Sequence, residues 1–148
     1  MKKSSSQKQD GFTLIEIIIS IALLSIVSVI VLRLFLLSYT INEEAKIFDE
    51  ANTQVVNQLE TMKAYDQLDA FLSANTWLIE TPKEIQGQLF YDHAFKPTDV
   101  EGNYILYWSM VKDASITGLY HISTHMMDTT THEILTDYTT KHYFKHKE

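Results

Sequence analysis

Cysteine is absent from the 148-residue chain. No disulfide can brace the fold, and thiolate nucleophiles and cysteine-built zinc sites are excluded. Proline occurs only twice and glycine four times, too sparse for a low-complexity or linker-like chain. No proline falls between Gly11 and Pro82, so nothing in that interval obliges a helix to break. Positive charge is scarce too. Against 19 Asp and Glu stand 12 Lys and Arg, a formal charge of −7, which leaves no basic stripe to hold nucleic acid, and direct nucleic-acid binding is not expected. There is no Gly-x-Ser-x-Gly elbow for a serine nucleophile. Gly87, Gly102 and Gly118 lie too far apart to form a phosphate-cradling loop.

What is present begins with an apolar run from Phe12 to Leu37, charged only at Glu16 and Arg33. As a helix its 26 residues would extend about 39 Å, more than the ~30 Å of a bilayer core. Its serines do not forbid a membrane helix, because their hydroxyls bond back to the carbonyl one turn earlier. Arg33 lies near the far end, where its long side chain can reach the headgroups. Lys2, Lys3 and Lys8 precede the run and Glu43, Glu44, Asp49 and Glu50 follow it. This asymmetry places the N-terminus in the cytoplasm and the larger domain outside. The run is too long for an ordinary secretory signal and lacks a small-x-small cleavage site at its end. A plain single-pass anchor would accommodate the length but leaves Glu16 unexplained.

Glu16 needs a partner, since an unpaired carboxylate in a membrane helix costs about 2.5–3.5 kcal/mol. A cut between Gly11 and Phe12 would supply one, a free amine at Phe12. The two groups could meet within one helix, or between neighbouring subunits of an assembly. Removing either member would leave the other uncompensated.

The basic leader ending in Gly11, the core Gly11-Phe12-Thr13-Leu14-Ile15-Glu16 and the following apolar residues resemble the class III signal of type IV pilins and type II secretion pseudopilins. The resemblance covers Lys2 to about Leu37. It implies that a prepilin peptidase cuts after Gly11 and methylates the amine of Phe12, and that Glu16 is the carboxylate used in filament assembly. It further implies an inner-membrane assembly platform and other pilin subunits as partners, no cofactor and no enzymatic activity. Major pilins usually carry a proline late in the apolar helix; its absence here favours a minor subunit. The expected division is a leader over 1–11, a transmembrane and assembly helix over 12–37, and a helix continuation with an extracellular globular domain over 38–148. The alternative classes are a membrane-anchored extracellular binding module that never polymerises and an anchored enzyme, for which no local motif speaks.

The helix is expected to continue past the membrane segment. Ile41, Ala45, Phe48, Ala51, Val55, Leu59 and Met62 recur every three or four residues, an apolar stripe on one face. The pattern predicts one helix from about Thr13 to Met62, about 75 Å long. A second helix is expected over Tyr65–Trp77, and short strands around Gln88–Tyr91. From Gly102 the period changes. Tyr104–Val111, Leu119–Met127 and Glu133–Tyr143 read as three strands joined by turns at Lys112–Ser115 and Asp128–Thr131, an antiparallel meander. The first of these should be largely covered on both faces. Tyr104–Tyr138 is also similar to the minor pseudopilins of the I or V type. The fold class is therefore α+β, a long N-terminal helix whose second half covers a small antiparallel sheet, as in pilins.

Six histidines raise the question of a metal. His121 and His125, four apart in a strand, share a face but stand about 13 Å apart, so one ion cannot bridge them. His142 and His146 would adjoin only in a helix, beside repelling lysines. Asp92, Asp99 and Glu101 around Pro97 are the only acidic group resembling a calcium loop, and no metal site is expected. Trp77 and Trp108 read as core or interface residues. The basic segment Lys141–Lys147 reads as a solvated terminus.

Overall fold

The computed structural model describes residues 13–145. The chain divides between Glu43 and Glu44 into two compact units, and helix α1 (Leu14–Lys63) contributes residues to both.

In the first unit α1 is an apolar rod. It is the one helix among the described residues long and apolar enough to cross a membrane, and Leu14 through Leu37 remain exposed to whatever surrounds them. Ser25 and Ser28 each donate to the carbonyl four residues back, Ile21 and Leu24, at 2.8 Å. These bonds satisfy the hydroxyls inside an apolar surface, as the sequence led us to expect.

The second unit is a sheet covered on one face by the end of α1 and by α2 (Leu68–Ala74). The strands are β1 (Leu78–Glu80), β2 (Glu84–Tyr91), β3 (Pro97–Thr98), β4 (Tyr104–Lys112), β5 (Leu119–Asp128) and β6 (Ile134–Tyr143). Their order is β1-β2-β4-β5-β6, with β3 paired to β2, and every pairing is antiparallel. The inward residues Leu106, Trp108 and Met110 of β4 and Ile122 and Met126 of β5 form a core with Ala51, Val55, Leu59 and Met62 of α1. The antiparallel meander read from the last third of the sequence is β4-β5-β6. Both of its turns are built by an aspartate: Asp113 accepts from the Ser115 and Ile116 amides, and Asp128 from those of Thr130 and Thr131.

Several expectations need correction. The buried stripe on α1 is shorter than its periodicity suggested, since Ile41, Ala45 and Phe48 stay exposed while Ile47 is partly buried. Periodicity reports which face is apolar, not how far a partner extends beneath it. Helix α2 is shorter than Tyr65–Trp77. The Asp66 carbonyl accepts from the Lys145 amide, and the Asn75 side chain donates to the Phe71 carbonyl and closes the last turn. Trp77 therefore lies beyond the helix. Strand β2 is twice as long as expected because Gly87 is no breaker. A Cβ there would stand 2.6 Å from a Trp77 ring carbon and 2.7 Å from the Trp77 carbonyl, so glycine is what lets β1 and its tryptophan approach. Strand β4 is covered by the helices on one face; on the other, Ile105 is buried and Tyr107 and Ser109 are half-buried, so the expected cover on both faces fails only toward the strand's end, where Val111 is exposed. The C-terminal segment is not a solvated tail as far as Lys145. Phe144 is buried against Phe71 and Tyr120, and Lys145 pairs with Asp66 at 3.0 Å.

Candidate functional site

The site singled out by the sequence begins at Gly11 and Phe12, which lie outside the described residues, as do Lys2, Lys3 and Lys8. Its third member, Glu16, is described, and it is not alone. Thr13 immediately precedes the helix, and Glu16 is the third residue inside it. The Thr13 amide donates to Glu16 Oε2 at 2.8 Å and the Thr13 hydroxyl donates to the same oxygen at 3.0 Å. In return the Glu16 amide lies 3.4 Å from the Thr13 hydroxyl oxygen. This is a capping box, in which the Thr13 amide and the Glu16 amide are bonded reciprocally by the other residue's side chain, and the Glu16 amide also donates to the Thr13 carbonyl at 3.0 Å. Sequence reasoning found Glu16 and missed Thr13, although the Thr-x-x-Glu spacing carries that signal in plain form.

Two consequences follow for the carboxylate. It sits at the positive end of the helix dipole, where negative charge is favoured. It is also held pointing back toward the start of the helix rather than out along the apolar rod. Both Thr13 bonds land on Oε2; among the described residues Oε1 has no hydrogen-bond partner. The arrangement fixes one oxygen and leaves the other to accept a donor.

The remaining polar groups serve the globular unit. His121 Nε2 lies 2.7 Å from Asp113 Oδ2. That bond, with the two turn amides, holds the Asp113 carboxyl down at about 2. His125 stacks on Tyr107 at 4.8 Å, and His142 meets Phe144 edge-on. No group of three or more His, Asp or Glu side chains among the described residues is placed to hold a metal. Asp92 spends Oδ1 on the amides of Ala94 and Lys96, bonds that lower its pKa. The turn so formed seats Phe95 flat against Tyr104, ring centres 4.1 Å apart. Ser109 and Lys112 have the Ser-x-x-Lys spacing of some hydrolases, but three residues apart on β4 they face opposite sides of the sheet. Trp77 and Trp108 meet edge to face at 6.1 Å, with Trp108 buried, so the latter belongs to the core, as expected.

Residues 6–32 match the prokaryotic N-terminal methylation motif, the class III signal of type IV pilin and pseudopilin precursors. Thr13 and Glu16 lie inside the matched segment. The motif supports a pilin- or pseudopilin-type precursor, a structural subunit rather than an enzyme, and with the long apolar helix it fits a membrane-anchored protein. The long helix followed by a small antiparallel sheet is a pilin-like α+β fold. No curated protein and no solved structure matches the chain.

Proposed function

We propose that this chain is a minor pilin or pseudopilin. A prepilin peptidase cuts it after Gly11 and methylates Phe12, and the mature subunit is drawn through Glu16 into a filament. Before cleavage the apolar part of α1 anchors the precursor in the cytoplasmic membrane, with the sheet unit outside. After cleavage the bundled apolar helices become the filament core, and the sheet unit makes lateral contacts or tops the structure. Other pilin subunits, the inner-membrane assembly platform and membrane lipid are its partners.

The observation that carries this reading is the carboxylate of Glu16 fixed at the very start of an apolar helix, inside the methylation motif. The capping box aims Glu16 at the residue beside the new terminus, one Cα–Cα step of about 3.8 Å from Phe12. A methylated amine at that step can meet the carboxylate in its own helix, and the amine of a neighbouring subunit can meet it in the assembly. Either encounter neutralises a charge that is costly in lipid.

Two substitutions separate the cap from the charge. Glu16→Gln keeps an acceptor oxygen for the Thr13 amide and removes the charge; Glu16→Ala removes both. Both variants should be cleaved, and neither should enter sheared filaments or cross-link with other subunits. Entry of Glu16→Gln at the level of the parent would refute the charge-pairing role and leave Glu16 a helix cap only.

A further inference from the structure

The sheet face turned away from the helices carries an open groove whose construction follows from strand register. Gln86, Ser109 and Ser123 are direct partners across β2, β4 and β5, and Gln88, Tyr107 and His125 form the next rung on the same face. Serine is the shortest polar side chain in the middle of these strands. Toward one end the floor is walled by the Tyr107–His125 stack, its planes only 19° apart; toward the other stand Val111 and His121, themselves register partners. Two small residues between larger neighbours leave a depression of about 610 Å³, whose lining extends to Ile79 and Phe90. That volume lies within the range of small-molecule sites.

The lining chemistry selects the occupant. The lining itself contains no Lys, Arg, Asp or Glu; at its border Glu84, on the rung of Val111 and His121, accepts from the Ser109 hydroxyl at 3.4 Å. A lone carboxylate at the border disfavours an anion and falls short of the several oxygen ligands a hard cation needs. A purely apolar ligand would desolvate the serine hydroxyls and glutamine amides without replacing their hydrogen bonds. An extended peptide gains little strand pairing, because β4 and β5 are paired on both sides and β2 is paired to β4 throughout and to β1 or β3 except at Glu84, Gln88 and Leu89. What remains is a neutral molecule with a C–H face for the aromatic stack and hydroxyls for the amides and serines, which both donate and accept. The rungs lie about 7 Å apart and the strands ~4.8 Å apart, a grid comparable with one sugar ring.

We propose that this groove binds a neutral saccharide, the Tyr107–His125 stack serving as the platform for a sugar ring and Gln86, Gln88, Ser109 and Ser123 reading its hydroxyls. The site is open and shallow, so a single ring engages it with a Kd on the order of 1 mM. Affinity for a polymer would come from many subunits displayed together.

The test uses the full chain in phospholipid nanodiscs, which avoids sugar-headed detergents, with chitotetraose and maltotetraose as probes read by saturation-transfer NMR. At least one of the two should bind saturably near that concentration. Tyr107→Leu removes the platform and should weaken binding about tenfold. Ser123→Tyr fills the floor from an exposed position and should abolish binding while leaving the thermal midpoint unchanged. Binding that survives Ser123→Tyr, or failure of both oligosaccharides well above that concentration, would overturn the proposal. So would a neutral peptide such as tetra-asparagine binding where both saccharides fail.

Discussion

Replacing Gly87 by alanine should destabilise the sheet unit, although the added methyl is small and the backbone there is extended. The sign is what makes the test informative. At a strand position with an ordinary φ, Gly→Ala reduces the freedom of the unfolded chain and stabilises by about 0.4–1 kcal/mol. Here the new Cβ would meet two Trp77 ring carbons at 2.6 and 2.9 Å and the Trp77 carbonyl oxygen at 2.7 Å. The ring could turn, but the carbonyl belongs to the backbone entering β1 and moves only if that strand moves. Overpacking of this kind costs about 1–3 kcal/mol, and with a backbone atom involved the upper part of that range applies. Subtracting the entropic gain leaves a net loss of about 2 kcal/mol, equivalent to about 8 °C in midpoint for a domain of this size. Thermal unfolding of the full chain in nanodiscs, followed by near-ultraviolet circular dichroism, reports the melt and the edge-to-face Trp77–Trp108 pair together. In a Trp77→Leu background the ring contacts vanish and the carbonyl contact stays, so the penalty for Gly87→Ala should shrink without disappearing. A midpoint equal to or above that of the parent would refute the close approach of β1 to β2.

Thr124 is fully buried and its hydroxyl has no hydrogen-bond partner among the described residues; Thr124→Val should therefore raise stability by about 1 kcal/mol, and a lowered midpoint would show that the hydroxyl is satisfied. Phe144→Ala should cost about 3–5 kcal/mol, because the ring is 2 % exposed and packs on Phe71, Tyr120 and His142; an unchanged denaturation midpoint would restore the view of the C-terminal segment as a solvated tail. The Asp113 carboxyl, held at about 2 against an ordinary 3.8 by His121 and two amides, contributes stability that is complete above the ordinary value and lost as pH falls through the lowered one. Asp113→Asn keeps an acceptor for the turn amides and loses the ionic partner, so the variant should be less stable than the parent at neutral pH. That difference should close as pH is lowered from about 4 to 2; a constant difference over that interval would contradict the assignment.

Much of this architecture was legible in the residues themselves. Helix α1 was readable because Ile, Leu and Val run from Leu14 to Leu37 and no proline follows before Pro82. Strands β4, β5 and β6 were readable because apolar residues alternate and each turn is led by an aspartate. What was missed depends on partners remote in sequence. The first half of β2 was hidden by Gly87, which signals a break locally and a close approach only once Trp77 lies over it. Helix α2 ends at a side-chain bond from Asn75 that the helical periodicity does not encode. Lysines around Phe144 suggested solvent, while its ring finds a place beside Phe71, far back in the chain. At the candidate site, Glu16 stood out as a charge in an apolar run, whereas Thr13 looked ordinary until the reciprocal bonds were seen. The outer groove could not be read at all, because it exists only when the register sets Ser109 opposite Ser123.

Whether the chain is a pilin-type precursor cut and methylated at Phe12 is decided by the N-terminus of the protein recovered from membranes, read by mass spectrometry. The expected result is a chain that begins at N-methylated Phe12. A chain still beginning at Met1, in cells whose prepilin peptidase is shown to be active, would contradict it.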